Sequence, residues 1–472
     1  MTTDTAAAFT AKKATLHAAV AASAGVFALR KRTISNLFRY TPRERASSGI
    51  DLAGFNRIIG LDPESTTLDV EGLTTYQDVV TFTLAHGLLP LISPELKHIT
   101  VGGATVGIGI ESSCFRHGFV HDGLVEAEVL LPDGRIVLCR ADNEYADLFH
   151  ALPNSYGTLG YALRLRIDLE PVSPYVKLRH VRFHDLDALQ SAIATIVDSR
   201  SFEGEPVEFV DGTVFTADEG YLSLGSWATR LPDGVVASDY TGMSVYYRSI
   251  QKRQTDYLTV RDYLWRWDAD WFWCSRAFGA QNPRIRRLWP KRWLRSDVYW
   301  RLIKLENRYH VAARLDARKG LPPRERVVQD VEIPLARTAA FLRWFLREVP
   351  IEPVWLCPIR LRDEGATAQL AAADPGGAPW PLYPLRPGQT YVNVGFWSTV
   401  PITGSAQDGD ANRSIEHAVA AHDGHKSLYS DAYYGEDEFW DLYGGTAYRA
   451  AKDRYDPRSR LLDLYAKAVK RR

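Results

Sequence analysis

Gly102, Gly103, Gly107 and Gly109 fall inside eight residues of the stretch 94-PELKHITVGGATVGIGIESSCFRHG-118, beside Thr100, Thr105, Ser112 and Ser113. Glycine lets a backbone approach a ligand closely and adopt positive φ. Successive free amides in such a segment form a concavity for anions. The chemistry this suggests is a grip on a pyrophosphate, and a plain glycine-rich turn fits the same residues. No Gly-Lys-Ser/Thr follows, so the stretch is not a P-loop. Gly102 to Gly107 also lacks the spacing, the βαβ context and the later acidic residue of a Rossmann dinucleotide site.

The elements that must hold this stretch are legible around it. After it comes a hairpin, 125-VEAEVLLPDGRIVLCR-140, in which Val125, Ala127, Val129 and Leu131 alternate with outer positions, Asp133-Gly134 turns the chain, and Ile136 and Leu138 resume. Before it, residues 50–90 read as strand, turn, strand, helix. Asp62-Pro63 makes the turn. Thr67, Asp69 and Glu71 alternate with Leu68 and Val70 as a half-buried strand. Thr74 or Thr75 caps a helix running to about His86, which Gly87 closes. After Pro174 the texture changes: strands and one helix (Leu186 to Val197), then a strand and an amphipathic helix over 327–349, and further strands at 354–361 and 391–397. Residues 362–388 form a Gly/Pro/Ala loop. The tail, 454–469, is a turn and a helix.

The chain of 472 residues is long enough for two or three domains. Acids and bases balance at 57 each, which removes any global nucleic-acid signal. Cys114, Cys139, Cys274 and Cys357 are scattered without CxxC spacing, against a metal site or a disulfide scaffold and in keeping with a reducing cytosol. The run 14-ATLHAAVAASAGVFAL-29 after Lys12-Lys13 has the order of a secretory leader, but it is shorter than a membrane span needs. It also suits a helix packed on the body. Histidines 86, 98, 117 and 121 read as structural.

Seven of the 13 tryptophans lie in 245–320, interleaved with arginine. Aromatic rings favour the membrane–water interface, and arginine stems cover apolar surface while reaching phosphates. One reading is a surface around Trp289, Arg292 and Trp293 that docks on anionic lipid. The others are a helical cap with aromatics in its core, and stacking on nucleic acid.

TVGGATVGIGIESS, the PDG hairpin, 143-NEYADLFHALP-153 and 155-SYGTLGYALRLRI-167 together resemble the FAD-binding domain of the vanillyl-alcohol-oxidase/PCMH flavoproteins. GIESS, 327-VVQDVEIP-334, 354-VWLCPI-359 and 428-LYSDAYYGEDEFWDLYGG-445 are similar to the Δ24-sterol reductase (Diminuto) branch, in the same order from about Leu29 to the C-terminus. The resemblance implies an α+β chain: a two-subdomain PCMH-type FAD-binding domain plus an α/β substrate (cap) domain with an antiparallel sheet. The expected divisions are an N-terminal helix at 1–28, the FAD domain at 29–173, the cap at 174–425 and a segment returning to the FAD domain at 426–472.

It further implies non-covalent FAD, with Cys114 and His117 the residues that leave covalent attachment open. The flavin contacts carried over are Lys31, Thr33, Ser35 and Asn36 in the arginine-rich run 30–49. In the glycine stretch they are Thr100, Gly102, Gly103, Ala104, Val106, Gly107, Gly109, Ile110 and Ser113, and in the later segment Gly157, Thr158 and Gly160. NADPH is implied as electron donor.

Reduction of an isolated alkene needs a proton as well as a hydride, so a positioned acid in a dry pocket is expected. Glu111, Asp330, Glu332 and Tyr433 are the candidates, with Asp431 and Tyr434 behind them. Asp330 and Glu332 share a strand face, since side chains at i and i+2 point the same way. In the family that strand covers the flavin. Ala/Arg-rich, Lys-poor usage suggests a GC-rich bacterium, which points the resemblance to methylene-fatty-acyl-phospholipid reductases of 10-methylstearate synthesis. The implied partners are a phospholipid acyl chain and a SAM-dependent methyltransferase, with peripheral membrane contact from the cytoplasm and no specific nucleic acid. A sterol Δ24 bond and FAD-dependent alcohol or sugar oxidation are the alternatives. The sterol reductases carry a membrane anchor before the flavin domain, and this chain is expected to start after it.

Overall fold

Two antiparallel sheets organise the chain, and one apolar core lies between them. The computed structural model describes residues 3–23, 25–31, 49–361, 382–383, 385–386 and 388–470. Thr33, Ser35, Asn36 and most of the 362–388 loop lie outside the described residues.

The first sheet is built from β1 (Ile58–Asp62), β2 (Thr67–Glu71), β3 (Leu88–Pro90), β4 (Leu124–Leu130), β5 (Ile136–Cys139) and β6 (Tyr161–Pro171), in the order β1-β2-β6-β4-β5 with β3 also on β6. Helix α1 (Thr3–Ala22) lies outside it, burying Phe9, Leu16 and Val20 against Phe55, Ile59 and Leu130. Its Lys12 reaches Glu71 at 2.6 Å and its Lys13 reaches Glu128 at 2.7 Å. This cover changes two expectations. Strand β2 is buried at every position, not on one face. Asp69 is paired with Arg164 and with Arg166, the latter at 2.8 Å, so its carboxylate is buried with partners. On β4, Val125 is exposed, while Leu130 and Leu131 are both buried.

Helix α2 (Tyr76–Leu84) starts where Thr75 Oγ1 accepts the Asp78 amide, and Gly87, at φ +69°, turns the chain into β3. Then comes α3 (Val101–Val106), which packs on the first sheet, and α4 (Ala146–Ala151).

The second sheet has eight strands: β7 (Tyr175–Phe183), β8 (Phe209–Thr216), β9 (Glu219–Ala228), β10 (Thr255–Thr259), β11 (Arg324–Pro334), β12 (Val354–Arg360), β13 (Thr390–Pro401) and β14 (His425–Lys426), in the order β10-β7-β9-β8-β12-β13-β11-β14. Alternation along each strand separates two faces. Val327, Val331, Leu356, Val394 and Phe396 pack under α5 (Leu186–Ser199), α8 (Thr338–Glu348) and α9 (Asp410–Ala421). Phe209, Trp355, Cys357 and Trp397 face the other way, into a core shared with Val101, Phe119 and Leu159 of the first unit.

The 245–320 segment divides. Trp265, Trp267, Trp271, Trp273 and Trp300 are buried in that shared core, and Thr255–Thr259 is an edge strand. These aromatics are therefore interior. Only from about residue 283 onward does the segment expose its apolar side chains, on α6 (Ser296–Tyr309), α7 (Val311–Arg318) and the turns before them. The C-terminal part, with α10 (Glu436–Leu442), α11 (Gly445–Tyr455) and α12 (Leu464–Ala468), lies back on the first unit. Arg460 donates to the carbonyl of Pro132 at 2.7 Å and of Ser23 at 2.6 Å.

Candidate active site

The glycine stretch is a short helix, not an open loop. Thr100 caps α3 by accepting the Gly103 amide, and the Gly102 amide donates to the Gly72 carbonyl at 2.9 Å. The amides of Ala104 and Gly107 bond to Thr100 and Gly103. A nest of four open glycines is thus absent, because most of those amides are already committed. The glycines serve close packing instead. A Cβ on Gly102 would stand 2.7 Å from the Gly72 carbonyl oxygen, and one on Gly109 would stand 2.5 Å from Val120.

The amides left uncommitted lie at the exit of this helix. The Tyr156 amide donates to the Val106 carbonyl at 2.8 Å, which seats 106–110 against 154–158. Three non-glycine residues along this seam have positive φ: Ile108 (126°), Asn154 (59°) and Tyr156 (50°), next to Gly157 at 74°. Such strain costs about 1–3 kcal/mol per residue and gathers at functional sites. Among the described residues no acceptor meets the amides of Gly109 or Ile110. Asn154 Oδ1, His121 Nδ1, His150 Nε2 and Tyr383 OH are buried beside the seam without partners. Burial pushes His121 down to about 3 and His150 to about 4, so both rings stay neutral. Orphaned donors and acceptors beside strained backbone fit a polar ligand that offers both acceptors and donors, as FAD does.

Other carried-over positions support this seam. Ser113 Oγ donates to the Leu91 carbonyl at 2.7 Å, and Thr158 Oγ1 to the Ser155 carbonyl at 2.7 Å. Lys452 donates to the Thr158 carbonyl at 2.8 Å, and Lys467 to that of Tyr156. Gly160, just before β6, packs against β4, where a Cβ would stand 2.9 Å from the Leu130 carbonyl oxygen. Lys31 is exposed, just past a short strand at Ala28–Arg30. Cys114 Sγ accepts the Glu111 amide at 3.2 Å, and His117 lies 3.4 Å from Glu170.

Across the core, the second sheet presents a row of polar side chains. Register pairs His180 with Ser223, Ser223 with Asp211, Cys357 with Asn393, Asn393 with Glu332, and Glu332 with His425. Asp211 continues the Gly212–Leu356 register by one residue, which sets it next to Cys357. At about 4.8 Å per strand the row spans roughly 29 Å. His180 Nε2, Asp211 Oδ1, Asn393 Oδ1 and Glu332 Oε2 are buried without partners. Unpaired polar atoms in a core are costly, and four along one line suit contact with a polar ligand. Asp330 lies on the same face, two residues from Glu332, and accepts from Asn393 at 3.1 Å. Burial raises Asp330 to about 6 and lifts Glu332 well above the usual carboxyl range, with the Asp330 charge adding to it.

Glu111 docks on the middle of this row. Its carbonyl accepts from Cys357 at 3.0 Å, and the Val210 amide donates to the Ser112 carbonyl at 2.9 Å. Its carboxyl is buried and accepts from Ser112 Oγ and, at 3.0 Å, from the Ser113 amide. Ser112 Oγ in turn lies 2.7 Å from Tyr263 OH. Burial pushes Glu111 up to about 7, while Arg266 pulls it back. Glu95 next to it is driven well above its usual range, first by burial and then by the Glu111 charge, and its Oε1 has no partner. Two buried carboxyls that repel each other hold a proton between them. Arg266 lies over the Tyr263 ring at 4.0 Å and bonds Asp211 at 2.9 Å, where Trp267 Nε1 also donates at 2.8 Å.

Glu111, Asp330 and Glu332 therefore share one interface. Tyr433 is elsewhere: its amide bonds Glu416, and its ring lies under Arg413 beside α9, the helix on the far face of the sheet. Sequence reasoning missed Glu95, Asp211, Tyr263 and Arg266. A lone Asp in 209-FVDGTVF-215, at an inward position of an apolar strand, was the available signal.

Residues 33–140 match the FAD binding domain family. The Δ24-sterol reductase of Arabidopsis thaliana is 27% identical over 446 residues, covering 90% of this chain and 77% of the relative. The Δ24-sterol reductase of Homo sapiens is 26% identical, covering 88% and 76%. Cytokinin dehydrogenase 6 of Oryza sativa subsp. japonica is 31% identical over 147 residues, 31% of this chain and 28% of its own. With the seam and the facing sheet, these likenesses make the chain an FAD flavoprotein built on a PCMH-type FAD-binding domain and related along most of its length to the Δ24-sterol reductases.

Proposed function

We propose that this protein is an FAD-dependent oxidoreductase that reduces an isolated carbon–carbon double bond in a lipid, with NADPH as electron donor. The observation that carries the reading is the Glu111 carboxyl, buried, near neutral in pKa and set against the polar row. An unactivated alkene must be protonated on its less substituted carbon so that the other carbon becomes cation-like. Bound reduced FAD supplies the hydride that this second carbon takes up. Glu111 holds the proton at its carboxyl oxygen, and Ser112 and Tyr263 orient that carboxyl. The aromatic and aliphatic walls, Phe209, Trp355, Trp397 and Leu428, exclude water, which strengthens the acid's effect.

The names of the relatives support a sterol Δ24 bond. A 10-methylene fatty acyl chain, made by a SAM-dependent methyltransferase, offers the same branched alkene, and arginine-rich, lysine-poor composition favours it. Purified protein is expected to be yellow, and anaerobic NADPH to bleach it. Re-oxidation by a Δ24 sterol assigns the first substrate, and re-oxidation by a methylene phospholipid the second. Protein that binds no FAD, or flavin that only oxygen re-oxidises after reduction by an alcohol, overturns the proposal.

A further inference from the structure

We infer that residues 284–321 form a docking surface for a bilayer carrying anionic lipid, separate from the buried site. Leu288 is 85% exposed, Leu305 53%, Val311 54% and Leu315 47%, with Trp293 and Tyr309 about half exposed. Beyond Trp300 no described residue of α6 or α7 is buried. Leu305 and Tyr309 are four residues apart on one helix, as are Val311 and Leu315 on the next, so each pair shares a face. An eight-residue helix such as α7 is marginal in water unless an apolar face is covered.

Charge decides what covers it. Between Arg301 and Lys319 stand six basic residues, Arg301, Lys304, Arg308, Arg314, Arg318 and Lys319, all exposed, against two half-buried acids, Glu306 and Asp316. A second copy docking by two-fold symmetry would bring like charges together. A nucleic acid would neutralise the cations but leave the aliphatic side chains in water, since stacking uses aromatic faces. An anionic bilayer meets both needs: headgroups pair with the basic residues, and Leu305, Val311 and Leu315 enter the acyl boundary. Trp289 takes no part, because its ring packs 6.2 Å from Tyr299 in the body.

The test is sedimentation of the FAD-loaded full chain with vesicles of phosphatidylcholine alone and of phosphatidylcholine mixed with phosphatidylglycerol. Binding is expected on the mixed vesicles and to be at least about tenfold weaker on the neutral ones. Leu305→Ser with Leu315→Ser, and separately Arg301→Gln, Lys304→Gln and Arg308→Gln, should each lose most of it while keeping the flavin absorbance. Equal binding to both vesicles, binding untouched by both variants, or no vesicle binding overturns the inference. So does self-association, or binding to RNA, that these variants abolish without any vesicle binding. The readout uses no turnover, so it stands or falls apart from the proposed reaction.

Discussion

Glu111 holds a proton at a pH where an exposed glutamate has lost it, because burial penalises the carboxylate more than Arg266 favours it. In Glu111→Gln the amide keeps the size and the Ser112 contact but cannot give a proton. FAD content should be unchanged, and lipid-dependent re-oxidation should fall by about a hundredfold or more, read by anaerobic stopped-flow absorbance. In the wild type the same step should slow as pH rises through about 7, and the variant should lack that dependence. The linkage has a definite sign. An unfolded Glu111 ionises near 4.5 while the folded one keeps its proton to about 7. The unfolded state therefore binds fewer protons in that window, and stability contributed by this group falls as pH rises across it. Arg266 makes the opposite kind of statement. Truncating it in Arg266→Ala leaves Asp211 buried without its ion pair, and urea unfolding should show a loss of about 3–5 kcal/mol.

At the scale of elements, the approach of α3 to the turn after β2 sets the seam. Gly102→Ala drives a methyl into the Gly72 carbonyl, backbone against backbone, and should cost about 1–3 kcal/mol. Gly103→Ala meets only the Thr100 hydroxyl, a side chain that can turn, so its cost in urea unfolding should stay within about 1 kcal/mol. Equal losses in the two would mean that the close approach to the Gly72 carbonyl is not what requires glycine at 102. This contrast shows what was legible in sequence. Spacing gave the hairpin, a cap at Thr74 or Thr75 and the shared face of Asp330 and Glu332, because each is a local relation a few residues long. It could not separate an open glycine nest from a packed helix, since that depends on a carbonyl thirty positions away. The partners of Asp69 and Asp211 were hidden for the same reason: Arg164 and Arg266 are distant in the chain. The tryptophan-rich run misled in its first half because aromatic residues among arginines look alike at an interface and in a core with buried ion pairs.

Whole-molecule behaviour follows from where the main core lies. It is shared: Val101, Phe119 and Leu159 from the first unit pack in one cluster with Trp267, Trp355 and Trp397 from the second. Lys452, Arg460 and Lys467 fasten the C-terminal part to carbonyls of the first unit. Neither unit can lose its packing without exposing the other's, so the two should unfold together, unlike domains joined by a small polar interface. The chain carries its own reporters. All 13 tryptophans lie after residue 174, while the FAD-binding match ends at 140. Apart from Trp440 in α10, which lies back on the first unit, tryptophan emission thus follows the second unit, and flavin fluorescence, released from quenching, follows the first. On heating the holoprotein the two signals should change at one midpoint, and added FAD should raise both midpoints together, by about 2.7 kcal/mol of stability at a hundredfold excess over Kd. Flavin release well before the tryptophan shift would separate the units, and the polar row on the second sheet would then no longer be tied to the seam it faces.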